Sequence, residues 1–240
     1  MFDGQRYWII GASEGLGRAL AMALDARGAR LVISARSRDR LEELAKTLSD
    51  PLVVPMDVTD RVSVAQAASE VGQIDGVIYC VGLYQPMTAQ EWNAEQVEAM
   101  CAANFTGAVH VLGHVVPDFV SKNAGHIVLI GSLAGFRGLP GAIGYGASKA
   151  GLMHLADTLY ADLRHSGVKV QLMNPGFIKT RLTEKNDFAM PQLMSAEKAA
   201  GTVMRAMESG RFQTNFPAPF AWLFRLRHLV PRWVFGGGAK

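Results

Sequence analysis

Tyr145 and Lys149 stand four residues apart in the run IGYGASKAGLMHLADTLYADL, residues 143–163. The run reads as a helix, and positions i and i+4 share a helix face, so a phenol and an ammonium are set side by side among small and apolar neighbours. A phenol, with a pKa near 10, is a sluggish acid or base at neutral pH. An ammonium a few ångströms away favours the phenolate. Bringing the phenol to about 7.5 takes roughly 3.4 kcal/mol, which a lysine in a partly dry cleft, helped by a bound cationic ring, can supply. Gly144 and Gly146 are expected to leave room beside the phenol. A carbonyl polarised there wants a second hydrogen-bond donor, and Ser132, closing the apolar run HIVLI, stands thirteen residues upstream. Tyr145, Lys149 and Ser132 are therefore the candidate proton-transfer group. The plain alternative is a core tyrosine and a snorkelling lysine.

These residues need a frame. Short apolar runs alternate with longer helical patterns: RYWII (6–10), RLVISA (30–35), LVVPM (52–56), GVIYC (76–80), HIVLI (126–130) and KVQLM (169–173) are strand candidates. Their nearly continuous apolarity fits strands covered on both faces. Helical segments are expected near 15–27, 38–49, 60–71, 93–122 and 142–166. The alternation predicts an α/β, Rossmann-like, doubly wound parallel sheet of about seven strands, with helices on both faces in three layers. With no linker or repeat, residues 1–240 are read as one domain. Residues 177–196 are expected to form a mobile loop over the site, and Phe177, Leu182, Phe188, Met190, Leu193 and Met194 supply either a pocket lid or ordinary packing.

The first strand runs into GASEGLG, with glycines at 11, 15 and 17 between strand and helix. There the helix offers N–H groups and the positive end of its dipole to a phosphate, and glycine permits close approach of the backbone. After the second strand, where an NAD-selective site carries an acid, the chain reads ISARSRDR. Ala35 occupies the acidic position and Arg36 follows. A guanidinium grips a 2′-phosphate through charge-assisted hydrogen bonds, so NADP(H) is expected, with Arg36 as main contact and Arg38 and Arg40 as decoration of a solvated helix. Asp57, ending the third strand, is placed to reach the adenine edge.

Together, GxxxGxG at 11–17, Asn104, Ser132, YGASK at 145–149 and NPGFIKT at 174–180 resemble the short-chain dehydrogenase/reductase family over about residues 6–210. The resemblance implies that Tyr145 is the general acid in ketone reduction and the base in alcohol oxidation. It implies that Lys149 lowers the pKa of Tyr145 and holds the nicotinamide ribose, that Ser132 orients the substrate oxygen, and that Asn104 holds a water of the proton relay. It also implies a cofactor-binding set: Gly11, Ser13, Gly15, Leu16, Gly17, Arg36, Asp57, Val58, Gly82, Tyr145, Lys149, Pro175, Gly176, Ile178 and Thr180. The family's Asn-Ala-Gly after the fourth strand is here Cys80-Val81-Gly82, a departure that bears on local packing more than on the reaction.

The expected activity is hydride transfer between NADP(H) and an apolar ketone or secondary alcohol, with a homodimer or homotetramer as the working form. A nucleotide-binding regulator without turnover is the alternative. A sugar-nucleotide epimerase shares Tyr-x-x-x-Lys but usually needs a further domain. The composition, 19% charged and 49% hydrophobic with net charge +3, is globular and gives no nucleic-acid signal. Cys80 and Cys101 are too few for a disulfide scaffold and read as reduced thiols. His110 and His114 sit at i, i+4 without the third ligand a zinc site needs, so no metal is expected. No signal-peptide pattern and no run of about 18 uninterrupted apolar residues is seen, which suggests a cytoplasmic chain. The tail, 216–240, is apolar, and residues 209–240 hold five Lys/Arg and no Asp/Glu. As a helix, Trp222, Leu223, Leu226 and Leu229 would share one side, with Phe220 and Phe224 among polar residues. The tail could touch a membrane surface peripherally, cap the pocket or form an interface.

Overall fold

A computed structural model describes residues 1–185 and 190–225. Seven parallel strands form one sheet: β1 (Arg6–Ile10), β2 (Arg30–Ser34), β3 (Leu52–Val53), β4 (Gly76–Tyr79), β5 (Gly125–Ile130), β6 (Val168–Pro175) and β7 (Gln213–Phe216). Their order is β3-β2-β1-β4-β5-β6-β7. The order reverses direction between β1 and β4, and crevices at such switch points, at the carboxyl ends of the strands, are where doubly wound sheets bind ligands.

The helices are α1 (Gly15–Asp25), α2 (Arg38–Ala45), α3 (Arg61–Val71), α4 (Ala94–Cys101), α5 (Gly107–Lys122), α6 (Ile143–Leu163), α7 (Ala196–Ser209) and α8 (Phe220–Arg225). One core packs α1 and α7 on one face of the sheet, through Leu20, Leu24, Val203 and Met207. The other packs α3, α5 and α6 on the opposite face, through Val64, Val115, Phe119 and Leu152. Strand residues alternate between these clusters, Ile9 and Ile33 to the first and Trp8 and Val32 to the second, so the apolar strand is covered on both sides. Its continuous apolarity follows from that.

Several elements depart from expectation. β3 is short, Leu52–Val53, although Val54 and Met56 N–H continue the pairing to the carbonyls of Ile33 and Ala35, at 3.1 and 3.0 Å; Pro55, between them on an edge strand, lacks an N–H that β2 does not need. The helix expected over 93–122 is broken by a π-turn, Ala102–Thr106. There the carbonyl of Ala103 accepts the Tyr79 hydroxyl at 2.5 Å. The whole stretch Ala94–Lys122 is long and apolar enough to cross a bilayer by length and composition; Val111, Val115 and Phe119 instead face the sheet. α7 and β7 lie outside the strand and helix candidates named from the sequence. α7 had a readable signal, with buried Ala199, Ala200, Val203, Met204, Ala206 and Met207 and an N-cap at Ser195, whose hydroxyl accepts the Lys198 N–H. β7 (QTNF) is a polar edge strand and carries no apolar run.

Candidate functional site

The carboxyl ends of the strands open onto one cleft of about 1000 Å³. Gly11, Ser13, Gly15, Leu16, Gly17, Arg36, Asp57, Val58, Gly82, Ser132, Tyr145, Lys149, Pro175, Gly176, Ile178 and Thr180 all line it. The glycine turn is pressed against neighbouring backbone. Gly11 has φ +88, and a Cβ there would lie 2.9 Å from the carbonyl of Cys80; one on Gly17 would collide with the carbonyl oxygen of Gly11. Glu14, the N-cap of α1, makes no side-chain cap. The first-turn N–H groups of α1 therefore carry no capping carboxylate, which suits them to a phosphate. Asp57 Oδ1 accepts the N–H and hydroxyl of Thr59, at 2.9 and 2.8 Å, fixing the turn after β3.

At the other end, Ser132 follows β5 and the residue beyond it, its hydroxyl oxygen accepting the Ala134 N–H at 3.2 Å. Tyr145, in the first turn of α6, is hydrogen-bonded through its side chain to Ser132. One turn on, Lys149 is 2% exposed. Its Nζ donates to the carbonyls of Val81, at 3.1 Å, and Ile130, at 2.8 Å. Burial pushes the Lys149 pKa down to about 8. Tyr145 moves the opposite way from expectation. Loss of water raises its pKa, the Ser132 hydrogen bond opposes this, and the nearby Tyr84 and Cys80 add to the rise. Burial is the largest influence on the phenol in the chain by itself.

One further expectation is corrected. Gly144 does not leave room for a substrate: a Cβ there would lie 2.6 Å from Met100 Cε and 3.1 Å from Val97 Cα, so this glycine lets α4 and α6 pack closely. Neither it nor Gly146 lines the cleft. Asn104 does not line it either. Fully buried in the π-turn, it accepts the Leu83 N–H at 2.6 Å and donates to the Leu83 carbonyl and the Ser148 hydroxyl, both at 2.9 Å. Its side chain ties the loop after β4 to α6.

Other cleft residues went unread in the sequence. Tyr84 packs edge-on to Tyr145 with ring centroids 5.2 Å apart. Arg40, taken as surface decoration, lines the cleft with Arg181 and Glu14. Arg38 does decorate the surface, 3.6 Å from Glu42. The stretch expected to be a lid divides. Phe177 and Leu182 line the cleft, Met194 belongs to the core, Leu193 is exposed, and Phe188 lies outside the described residues.

α8 divides its apolar residues between the interior and the surface. Ala221 and Phe224 are buried while Trp222 and Leu223 are 60% and 45% exposed. The reason is tertiary: Phe220, Ala221 and Phe224 meet Leu133, Phe136 and Leu139, and Phe220, Leu223 and Phe224 line the cleft. Leu226 and Leu229 lie outside the described residues. Cys80 also lines the cleft; burial pushes its thiol up to about 12, with Lys149 opposing, so it is a protonated and unreactive thiol. His110 Nδ1 lies 3.0 Å from the Val58 carbonyl.

A glycine turn at a sheet switch point, facing a Ser–Tyr–Lys set across one cleft, is the arrangement of a dinucleotide-dependent oxidoreductase. Residues 6–190 match the model of the short chain dehydrogenase family. The chain is 35% identical to an uncharacterized oxidoreductase of Myxococcus xanthus, over 97% of this chain and 95% of the relative. Among solved structures, it is similar to a short-chain dehydrogenase from Sphingobium yanoikuyae in complex with NADPH (TM-score 0.85, 25% identity, 98% and 97% of the two chains). It is also similar to a short-chain dehydrogenase/reductase from Burkholderia phymatum in complex with NAD (TM-score 0.87, 25% identity, 95% and 94%). The chain belongs to the short-chain dehydrogenase family.

Proposed function

We propose that this protein reduces an apolar ketone, or oxidises the matching secondary alcohol, with NADP(H) as hydride partner. The observation that carries the reading is the hydrogen-bonded pair Ser132–Tyr145, placed where the polar end of the cleft meets an apolar one. A nicotinamide dinucleotide, when bound, supplies or accepts the hydride. The residues present fit it: the uncapped first turn of α1 suits the pyrophosphate, and Arg36 suits the 2′-phosphate. Pro175, Gly176, Ile178 and Thr180 stand ready for the carboxamide.

The chain's own residues handle the proton. Ser132 and Tyr145 hold the substrate oxygen between two hydroxyls, and the phenol gives its proton to that oxygen as reduction proceeds. A raised phenol pKa keeps Tyr145 protonated through the neutral range, which favours the acid role. Lys149, held by the carbonyls of Val81 and Ile130, places a cation behind the phenol and beside the ribose position. Asn104 acts as a positioning residue, holding the loop that carries Leu83 and Tyr84. At the substrate end, among the described residues, Leu133, Leu139, Phe177, Phe220 and Phe224 form an apolar lining, which suits an apolar substrate.

The test is Tyr145→Phe. It is expected to reduce turnover by about 10²-fold or more in a carbonyl screen that follows NADPH oxidation, and to leave NADPH affinity near wild type. Retained turnover would remove Tyr145 from the reaction.

A further inference from the structure

Resting on the reading of the cleft as an NADP(H) site, we infer that Arg40, positioned by Glu14, is a second determinant of selectivity for the phosphorylated dinucleotide. Arg36 and Arg40 stand either side of the start of α2, and both line the cleft; Arg38, between them, turns outward to Glu42. The Ser37 hydroxyl accepts the Arg40 N–H at 3.4 Å, anchoring this residue in the first turn of the helix. From there its guanidinium reaches across the cleft rim to Glu14, Nη1 to Oε2 at 2.9 Å. Glu14 belongs to the glycine turn itself. The cation is therefore fixed between the end of β2, where the adenosine ribose is expected, and the turn that suits the pyrophosphate.

Glu14 is an odd residue to find at a polyanion site. Its other oxygen accepts Arg181 Nη2 at 2.7 Å, from the segment that crosses the turn, where Thr180 Cγ2 would lie 2.9 Å from a Cβ on Gly15. Two guanidiniums share one carboxylate, so the trio keeps a net positive charge. The shared acid turns both cations to the cleft rim and is itself held off the first N–H groups of α1, where it would compete with a phosphate. A 2′-phosphate carries close to two negative charges at neutral pH, with acceptors enough for two guanidiniums. Arg36 and Arg40 together meet that demand.

The experiment is calorimetric titration of NADPH and NADH into the wild type and four variants, with the Tm of each variant checking its fold. Arg40→Leu is expected to weaken NADPH about tenfold, the worth of a charge-assisted hydrogen bond, and NADH less than about twofold. Glu14→Leu is expected to lower selectivity in the same direction, because Arg40 keeps its charge but loses its anchor. If Glu14 merely repelled phosphate, its removal would raise selectivity, and the positioning role would be overturned. Arg38→Leu, a control for general charge, is expected to change neither affinity. Equal losses for both nucleotides in Arg40→Leu would overturn the assignment. Arg36→Asp separates the two levels: NADPH preference abolished there but untouched by Arg40→Leu removes Arg40 alone. A wild type that prefers NADH defeats the underlying reading and Arg40 with it.

Discussion

Lys149 is subject to opposing demands. Its place behind Tyr145 asks for a cation, while its 2% exposure favours the neutral amine, and its pKa falls to about 8. The ammonium is present below that value and is lost above it. Tyr145, shifted upward, stays protonated across the same range, so the phenol does not set the limit. We expect kcat/KM for carbonyl reduction to be flat at neutral pH and to fall above pH about 8, since this parameter reports groups of the free enzyme. A profile flat to pH 10, near the ordinary value for a phenol, would show that the lysine charge is not needed. At the nucleotide end, Arg36→Asp puts a carboxylate where the 2′-phosphate is expected. It should weaken NADPH by about tenfold or more while affecting NADH far less, as measured by titration of both; equal losses would contradict the contact.

At the scale of elements, the π-turn and its buried amide hold the site together. Asn104 satisfies both backbone groups of Leu83 and the hydroxyl of Ser148, joining the loop after β4 to the helix that carries Tyr145. Asn104→Ala strands the Leu83 N–H, at a cost of about 1–3 kcal/mol. In a chain of this size each kcal/mol lowers Tm by roughly 2–4 °C. Turnover should fall with it through a higher KM, because Tyr84 packs on Tyr145 from the same loop. A variant with wild-type Tm and lowered kcat alone would instead place Asn104 in the proton relay. α8 shows the same dependence on context: periodicity put Trp222 and Leu223 on one side, and the patch of Leu133, Phe136 and Leu139 decides that Phe220 and Phe224 turn inward.

Across the whole molecule, the end of the sheet away from the cleft is fastened by a polar chain. Tyr7 hydroxyl lies 2.8 Å from His126 Nδ1, and His126 Nε2 lies 2.8 Å from Gln171 Oε1. Gln171 Nε2 donates to the carbonyls of Ala206 and Arg211, so β1, β5, β6 and the end of α7 are linked. Because Gln171 presents its oxygen to the ring, His126 carries its proton on Nε2 and accepts from Tyr7. Burial lowers its pKa to about 4, with the Gln171 hydrogen bond opposing and Lys169 adding to the fall. Between pH 6.5 and 4 the unfolded chain binds a proton that the folded chain refuses, so stability drops as pH falls through that window, by about 3 kcal/mol in all. His126→Leu should be less stable at pH 7 but should show a shallower loss across the same window in urea denaturation; an unchanged slope would assign the acid sensitivity elsewhere.

Local patterns of residues carry the part of this protein that can be read without its fold. Continuous apolar runs require strands covered on both faces. The glycines of GASEGLG mark a turn tight against its neighbours. The spacing of Tyr145 and Lys149 places them one helical turn apart whatever surrounds them. α7 was not read as a helix from the sequence, although its apolar periodicity between Ser195 and Gly210 carried the signal. Tertiary structure decided the matters of environment and of long separation. The phenol rises rather than falls because of how much water the fold removes from it. Asn104 turns to Leu83 and Ser148, Gly144 serves Met100, and Glu14 meets Arg40 and Arg181 across 26 and 167 residues of chain. Periodicity says which residues share a face; pKa values and long-range pairings depend on what the folded chain brings to that face.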